Sequence, residues 1–240
     1  MRLLLISNSA KPGQPYLGYA TPFIHDFLGN TPKKILFIPF AAVTYGFDEY
    51  VTKVNNALKD TGHVAYGIHH EAQPLKAVME AEAIMVGGGN TFRLLSMMQE
   101  LGIIPAVRER VLSAGVPYLG WSAGANVACP TICTTNDMPI VQPLDFGAFN
   151  LIDFQINPHY LDAHPTNHGG ETREQRINEY LVANPDKYVI GLRENTMLRV
   201  EGNEYELKGE LDARVFHYGD EPVEVAPSVL PHTLLGIRLR

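Results

Sequence analysis

Over the first half of the chain, short uniformly apolar runs alternate with longer segments whose apolar residues recur at helical spacing. The runs at 2–6, 34–40, 63–68, 83–86 and 116–119 are apolar with little alternation, which predicts strands buried on both faces, as in a parallel sheet. Between them, Tyr50, Val51, Val54 and Leu58 mark one face of a helix over 47–58 that Asp60-Thr61-Gly62 stops. Helices are predicted likewise over 16–28, limited or kinked by Pro22, over 74–81 with a proline near its start, over 92–101, and over 103–114. That rhythm predicts βαβ units: an α/β fold with a mostly parallel sheet and helices on both faces. Ligands of such sheets bind beyond the carboxyl ends of the strands.

After residue 122 the rhythm lapses. Residues 130–150 read as loop, with Pro130, Pro139, Pro143 and Gly147. A short strand over 154–156 ends at Asn157-Pro158-His159, a helix follows over 171–181, and a strand over 188–192. From Thr196 onward, alternation broken by Gly202-Asn203, Lys208-Gly209 and Tyr218-Gly219 predicts antiparallel hairpins. No repeat, low-complexity stretch or linker divides the chain, so a single α/β catalytic domain over 1–240 is expected.

Composition narrows the function classes. The 240 residues are 45% hydrophobic and 19% charged, which describes a globular protein able to bury a substantial core. A net charge of −7 argues against nucleic-acid and anionic-membrane partners, which call for a basic face. No apolar run approaches a membrane span, and Leu3-Leu4-Leu5-Ile6 is too short for the core of a signal peptide. The only two cysteines, Cys129 and Cys133, point to a reducing compartment, so a cytoplasmic location is expected.

The chemistry centres on Gly120-Trp121-Ser122-Ala123-Gly124, which follows an apolar strand and precedes small residues. This is the G-x-S-x-G turn, in which a serine is held on a sharp strand-to-helix bend with its hydroxyl exposed. A serine nucleophile needs a base, and the base needs an orienting carboxylate. His159 and Asp137, each beside a loop proline or next-but-one to it, are the downstream candidates for base and third member. The backbone N–H of Ala123 is one donor for a developing oxyanion, and the Gly87-Gly88-Gly89 turn after the 83–86 strand offers another. That glycine turn fits neither G-x-G-x-x-G nor a P-loop with its lysine. His159, Asp162, His164 and His168 form a second constellation whose spacing matches no metal signature. Arg173 and Arg176 share a helix face; either is an anion clamp or a partner of a surface carboxylate.

Five segments together resemble the peptidase E family of α-aspartyl dipeptidases, serine peptidases related to cyanophycinase. They are Val86-Gly-Gly-Gly-Asn-Thr-Phe92, Gly120-Trp-Ser-Ala-Gly-Ala-Asn126, Thr134-Thr-Asn-Asp-Met-Pro-Ile140, Gln155-Ile-Asn-Pro-His159 and Gly170-Glu-Thr-Arg-Glu-Gln-Arg-Ile177. The resemblance implies a flavodoxin-like sheet similar to that of class I glutamine amidotransferases, with antiparallel hairpins at the C-terminus, and no metal or organic cofactor. It assigns Ser122 as nucleophile, His159 as base and Asp137 as third triad member. Gly89 and Ala123 match the oxyanion donors, and Arg173 the arginine that holds the aspartate side chain of the substrate. The expected substrate is an Asp-X dipeptide, handled by a monomer or homodimer. A cyanophycinase-like action on β-aspartyl linkages and a silent binding module that keeps the serine turn as scaffold are the alternatives.

Overall fold

A computed structural model describes residues 1–162 and 169–236. Its main sheet has seven strands in the order β3-β2-β4-β5-β1-β8-β9. Five are parallel: β1 (Arg2–Ile6), β2 (Lys34–Ile38), β3 (Val64–Gly67), β4 (Ala83–Val86) and β5 (Tyr118–Trp121). The hairpin of β8 (Thr196–Glu201) and β9 (Glu204–Gly209) extends the sheet antiparallel beside β1.

The uniform apolarity of the parallel strands has a direct structural cause. Leu3 and Leu5 point into one core and Leu4 and Ile6 into another, and all four are fully buried. Each such side chain contributes about 1.5–3 kcal/mol by leaving water. One core holds α1 (Thr21–Leu28) and α2 (Phe47–Leu58) through Ile24, Phe27, Tyr50 and Val54. The other holds α3 (Pro74–Glu80), α4 (Thr91–Glu100), α5 (Ile104–Leu112) and the single turn α6 (Ala123–Asn126). Helix α1 is shorter than its sequence pattern because Pro22 belongs to its first turn and Leu17, at φ 56°, breaks the chain before it.

The mostly parallel sheet and the antiparallel C-terminal pairs are as expected, and the structure adds a second sheet. The strands predicted near 154 and 188 leave the main sheet and build a second one, in the order β11-β10-β7-β6. It contains β6 (Gln155–Tyr160), β7 (Tyr188–Arg193), β10 (Ala213–His217) and β11 (Val223–Val225). Phe154, Ile156, Ile190 and Leu192 share the core of the main sheet. Helix α7 (Arg173–Ala183) packs on the other face through Ile177 and Leu181 against Tyr160, Val189 and Phe216. Apolarity alone tells a strand that it is buried, not which sheet it joins.

The sheets are tied where β1 ends. The fully buried Ser7 donates its N–H to Thr196 O (3.0 Å) and its hydroxyl to Leu192 O (2.8 Å). The same hydroxyl accepts the N–H of His159 (2.9 Å). One residue back, Ile6 O accepts the N–H of Ser122 (2.9 Å). Ser7→Ala leaves a carbonyl and an amide buried without a partner, a loss of about 1–3 kcal/mol. Urea unfolding should show a lower midpoint at unchanged slope; a wild-type midpoint would contradict this role.

Candidate active site

Strand β5 delivers Ser122 to a bend with φ 53° and ψ −113°, a conformation that side-chain-bearing residues rarely adopt. Such a backbone stores on the order of 1–3 kcal/mol, held by surrounding contacts. Gly124 explains how: a Cβ there would lie 2.1 Å from Val86 O, so only glycine lets the helix sit against β4.

His159 also has a left-handed backbone, at φ 53°. Asn157 pairs with Gly191 and Tyr160 with Arg193, so β6 carries one more residue than β7 across this interval. That bulge re-aims the imidazole. Its Nε2 lies 3.0 Å from Ser122 Oγ, and its Nδ1 lies 2.7 Å from Glu194 Oε1. Ser122 and His159 therefore come together as expected from the sequence.

Asp137 does not reach them. Its Oδ2 accepts the backbone N–H (2.8 Å) and hydroxyl (2.6 Å) of Thr91 and the hydroxyl of Thr135 (3.1 Å). Those donors hold it at the N-terminus of α4, directly after the glycine turn, and Glu194 occupies the place expected for it beside the imidazole. Sequence reasoning missed Glu194, which sits in the two-residue connection between β7 and β8. Asn195 N donates to Asn8 Oδ1 (2.8 Å) and Thr196 Oγ1 donates to Arg193 O (2.6 Å), so this connection is fixed at both ends. The adjacent Arg193 is saturated by Asp162 and Glu224, which strengthens its hold on its proton and leaves Glu194 to the imidazole. With Asp162 in that ion pair, the second histidine constellation loses a member; His164 and His168 lie outside the described residues.

The glycine turn packs against the serine bend. A Cβ on Gly88 would sit 3.0 Å from the Ser122 Cβ, and Gly89, at φ 137°, packs on Ala41 O. The peptide joining them is pinned from below. Tyr50 donates to Gly88 O (2.9 Å) while accepting from Trp121 Nε1 (3.1 Å) and from the Tyr16 hydroxyl (3.0 Å). The indole only donates and the carbonyl only accepts, so the direction of every bond in this chain is fixed. Burial pushes the Tyr50 phenol well above its ordinary pKa and keeps it a neutral donor. In a trans peptide the C=O and N–H point oppositely, so the Gly89 N–H is directed away from Tyr50. Among the described groups, neither it nor the Ala123 N–H has an acceptor.

Arg173 opens α7 behind a Thr172–Gln175 capping box. It donates to Asn136 Oδ1 and lines a cavity of about 190 Å³ with Arg176, Asp137 and Asn157. Burial first, and the neighbouring Arg176 charge second, weaken its hold on its proton. No carboxylate pairs with it among the described residues, whereas Arg176 reaches Glu171 at 3.8 Å. For a metal, the described residues offer one trio, Asp48, His69 and His70, at the head of α2. There His69 Nδ1 is buried without a partner, which places the proton on Nε2, where Asp48 accepts it at 2.9 Å. An ion ligated by Nε2 would drive that proton to the orphaned nitrogen, so the trio fits a hydrogen-bonded cluster better than a metal site.

A serine on a strained strand-to-helix bend, an imidazole on its hydroxyl and a carboxylate behind that imidazole are the geometry of a serine hydrolase. The chain belongs to peptidase family S51, whose model matches residues 3–208, and is a serine peptidase of that family. It is 50% identical over 226 residues to peptidase E of Nostoc sp. (strain PCC 7120), covering 94% of this chain and 93% of that protein. It is 49% identical over 223 residues to peptidase E of Salmonella typhimurium (strain LT2), covering 93% and 96%. A crystal structure assigned to peptidase E from Listeria monocytogenes EGD-e superposes with a TM-score of 0.68 at 26% identity, over 87% of this chain and 98% of that one. A peptidase from an acI-B1 actinobacterium, at 16% identity and a TM-score of 0.60 over 93% of this chain and 96% of that one, shares the fold.

The two carboxylates are separable without a substrate. In proton NMR, the hydrogen-bonded Nδ1 proton of His159 should lose its far-downfield resonance in Glu194→Gln and keep it in Asp137→Asn. The opposite pattern would return Asp137 to the imidazole.

Proposed function

We propose that this S51 peptidase is an aspartyl dipeptidase that hydrolyses Asp-X through a Ser122–His159–Glu194 triad. The observation that carries the reading is Arg173: a half-buried guanidinium with no carboxylate partner among the described residues, lining a cavity whose wall includes Asn157, two residues before His159. A desolvated cation of this kind favours an anion that presents two oxygens to its fork of donors.

In this reading the aspartyl side chain docks on Arg173 and the scissile carbonyl lies over Ser122. His159 takes the hydroxyl proton as Ser122 attacks, and Glu194 holds the tautomer that leaves Nε2 free and stabilises the imidazolium. Negative charge moves to the carbonyl oxygen, where the amides of Gly89 and Ala123 donate. His159 then gives its proton to the departing amine, and water attacks the acyl-enzyme by the same route. Both His159 and Glu194 are more than a third exposed in the free protein, so their hydrogen bond is screened by water until a substrate covers it. Asp137 acts at a distance in this scheme, by fixing the start of α4 and with it the glycine turn. A neutral side chain would leave Arg173 unpaired, and glutamate would shift the carbonyl; a misplacement of about 1 Å can lower the rate ~10²-fold.

Asp-Leu, β-Asp-Leu, Glu-Leu and N-acetyl-Asp-Leu, compared side by side, test the reading. Asp-Leu should lead the panel, and Arg173→Ala should lower its kcat/KM by about 10²-fold, far more than Arg176→Ala does. Preference for β-Asp-Leu would assign the site to isopeptide linkages instead. Equal turnover by wild type and a folded Ser122→Ala would remove Ser122 from the chemistry.

A further inference from the structure

The Arg173 guanidinium and the His159 imidazole come from different elements, yet one side chain touches the supports of both. Asn136 accepts from Arg173 Nη1 at its Oδ1, which also accepts from Asn157 Nδ2 (2.7 Å). Its own Nδ2 donates to Pro158 O (2.7 Å), the carbonyl of the peptide bond that leads into His159. The orientation of this amide is not ambiguous: a guanidinium only donates and a carbonyl only accepts, so a flip would oppose like groups at both ends.

We infer that Asn136 sets the span between the carboxylate clamp and the catalytic base, and thereby the preference for aspartate over glutamate. The inference rests on Arg173 being the clamp. Three features carry it. The first is reach: Asn136 bridges the first turn of α7 to the bulge of β6. The second is restraint. An arginine side chain has many rotamers to lose on binding, and Asn136 makes the only hydrogen bond to Arg173 among the described residues. With one Nη1 donor engaged, the rest of the fork stays available to an incoming carboxylate.

The third is charge. An amide oxygen orients the guanidinium and leaves its positive charge unspent. A carboxylate at the same place would orient it equally well and neutralise it, closing the site to an anionic side chain. The residue is also held within a segment that is itself fastened. Thr134 Oγ1 donates to Ile156 O (2.8 Å), Asn157 Nδ2 to Thr134 O (2.9 Å), and Asn90 Nδ2 to Met138 O (2.8 Å). Residues 134–138 thus form a strap from the glycine turn to β6, with Asn136 as its contact to α7.

The role is that of a positioning residue, and a double-mutant cycle tests it on the full chain. Asn136→Asp, nearly isosteric and only partly buried, should raise KM for Asp-Leu at least about tenfold while kcat stays within about threefold. Asn136→Ala, which frees the guanidinium, should narrow the ratio of kcat/KM between Asp-Leu and Glu-Leu. In an Arg173→Ala background neither substitution should change the ratio of kcat/KM between Asp-Leu and Glu-Leu any further, since that preference acts through the arginine. KM within twofold of wild type in Asn136→Asp, or equal effects in both backgrounds, overturns the inference and leaves the clamp intact. Undiminished Asp-Leu turnover in Arg173→Ala overturns the clamp and this inference with it.

Discussion

The site depends on one buried hydroxyl at the end of β1. Serine, histidine and carboxylate sit on three elements of two sheets, and a serine hydrolase tolerates little error among them. Ser7 limits that error by bonding to three separate segments at once. It donates to β7, accepts from the backbone of His159 and pairs with β8, one residue beyond the carbonyl that receives Ser122 N–H. Ser122, His159 and the segments flanking Glu194 are thus referred to the same two adjacent residues, Ile6 and Ser7. Left-handed backbones at Ser122 and His159 persist because that junction, the close approach of Gly124 to β4 and the bulge in β6 leave no relaxed alternative.

A second device serves the electrophilic side. The Tyr16–Tyr50–Trp121 chain holds Gly88 O from the core, and Asp137 holds the start of α4 from above. Between them they fix a glycine turn that has no side chains with which to fix itself. The carboxylate that looks catalytic by its place in the sequence is held, in the structure, at the start of α4 and away from the imidazole. Its Oδ2 takes donors from Thr91 and Thr135, whereas the carboxylate of Glu194 has His159 as its hydrogen-bonded partner among the described residues.

Much of this architecture is legible in the sequence. Arg2–Ile6, Phe47–Leu58 and Ala83–Val86 are read to the residue, because uniform apolarity and clean helical spacing each have one structural solution there. The Gly120–Gly124 bend is legible because only glycines permit it. Glu194 is not, since it lies in a two-residue connection with no motif around it, and its partnership depends on how two sheets are set against each other. A triad is defined by geometry, and chain order offered Asp137 as readily. The second sheet is hidden for a related reason: β7 reads like a main-sheet strand and β6 carries Gln155, Asn157 and His159, and neither composition names the neighbour that each strand pairs with. In the sequence Arg173 stands apart from Arg176 only through the family resemblance; the structure adds that Arg173 is half-buried while the exposed Arg176 reaches Glu171.

The central claim is that Arg173 and the triad form one site with the spacing of an aspartyl residue. A crystal structure of Ser122→Ala with Asp-Leu bound tests it most directly. The account predicts the side-chain carboxylate on the Arg173 guanidinium, the scissile carbonyl oxygen at the Gly89 and Ala123 amides, and the imidazole of His159 still on Glu194. A bound dipeptide whose carboxylate lies elsewhere, with Arg173 still turned to Asn136 alone, would contradict it.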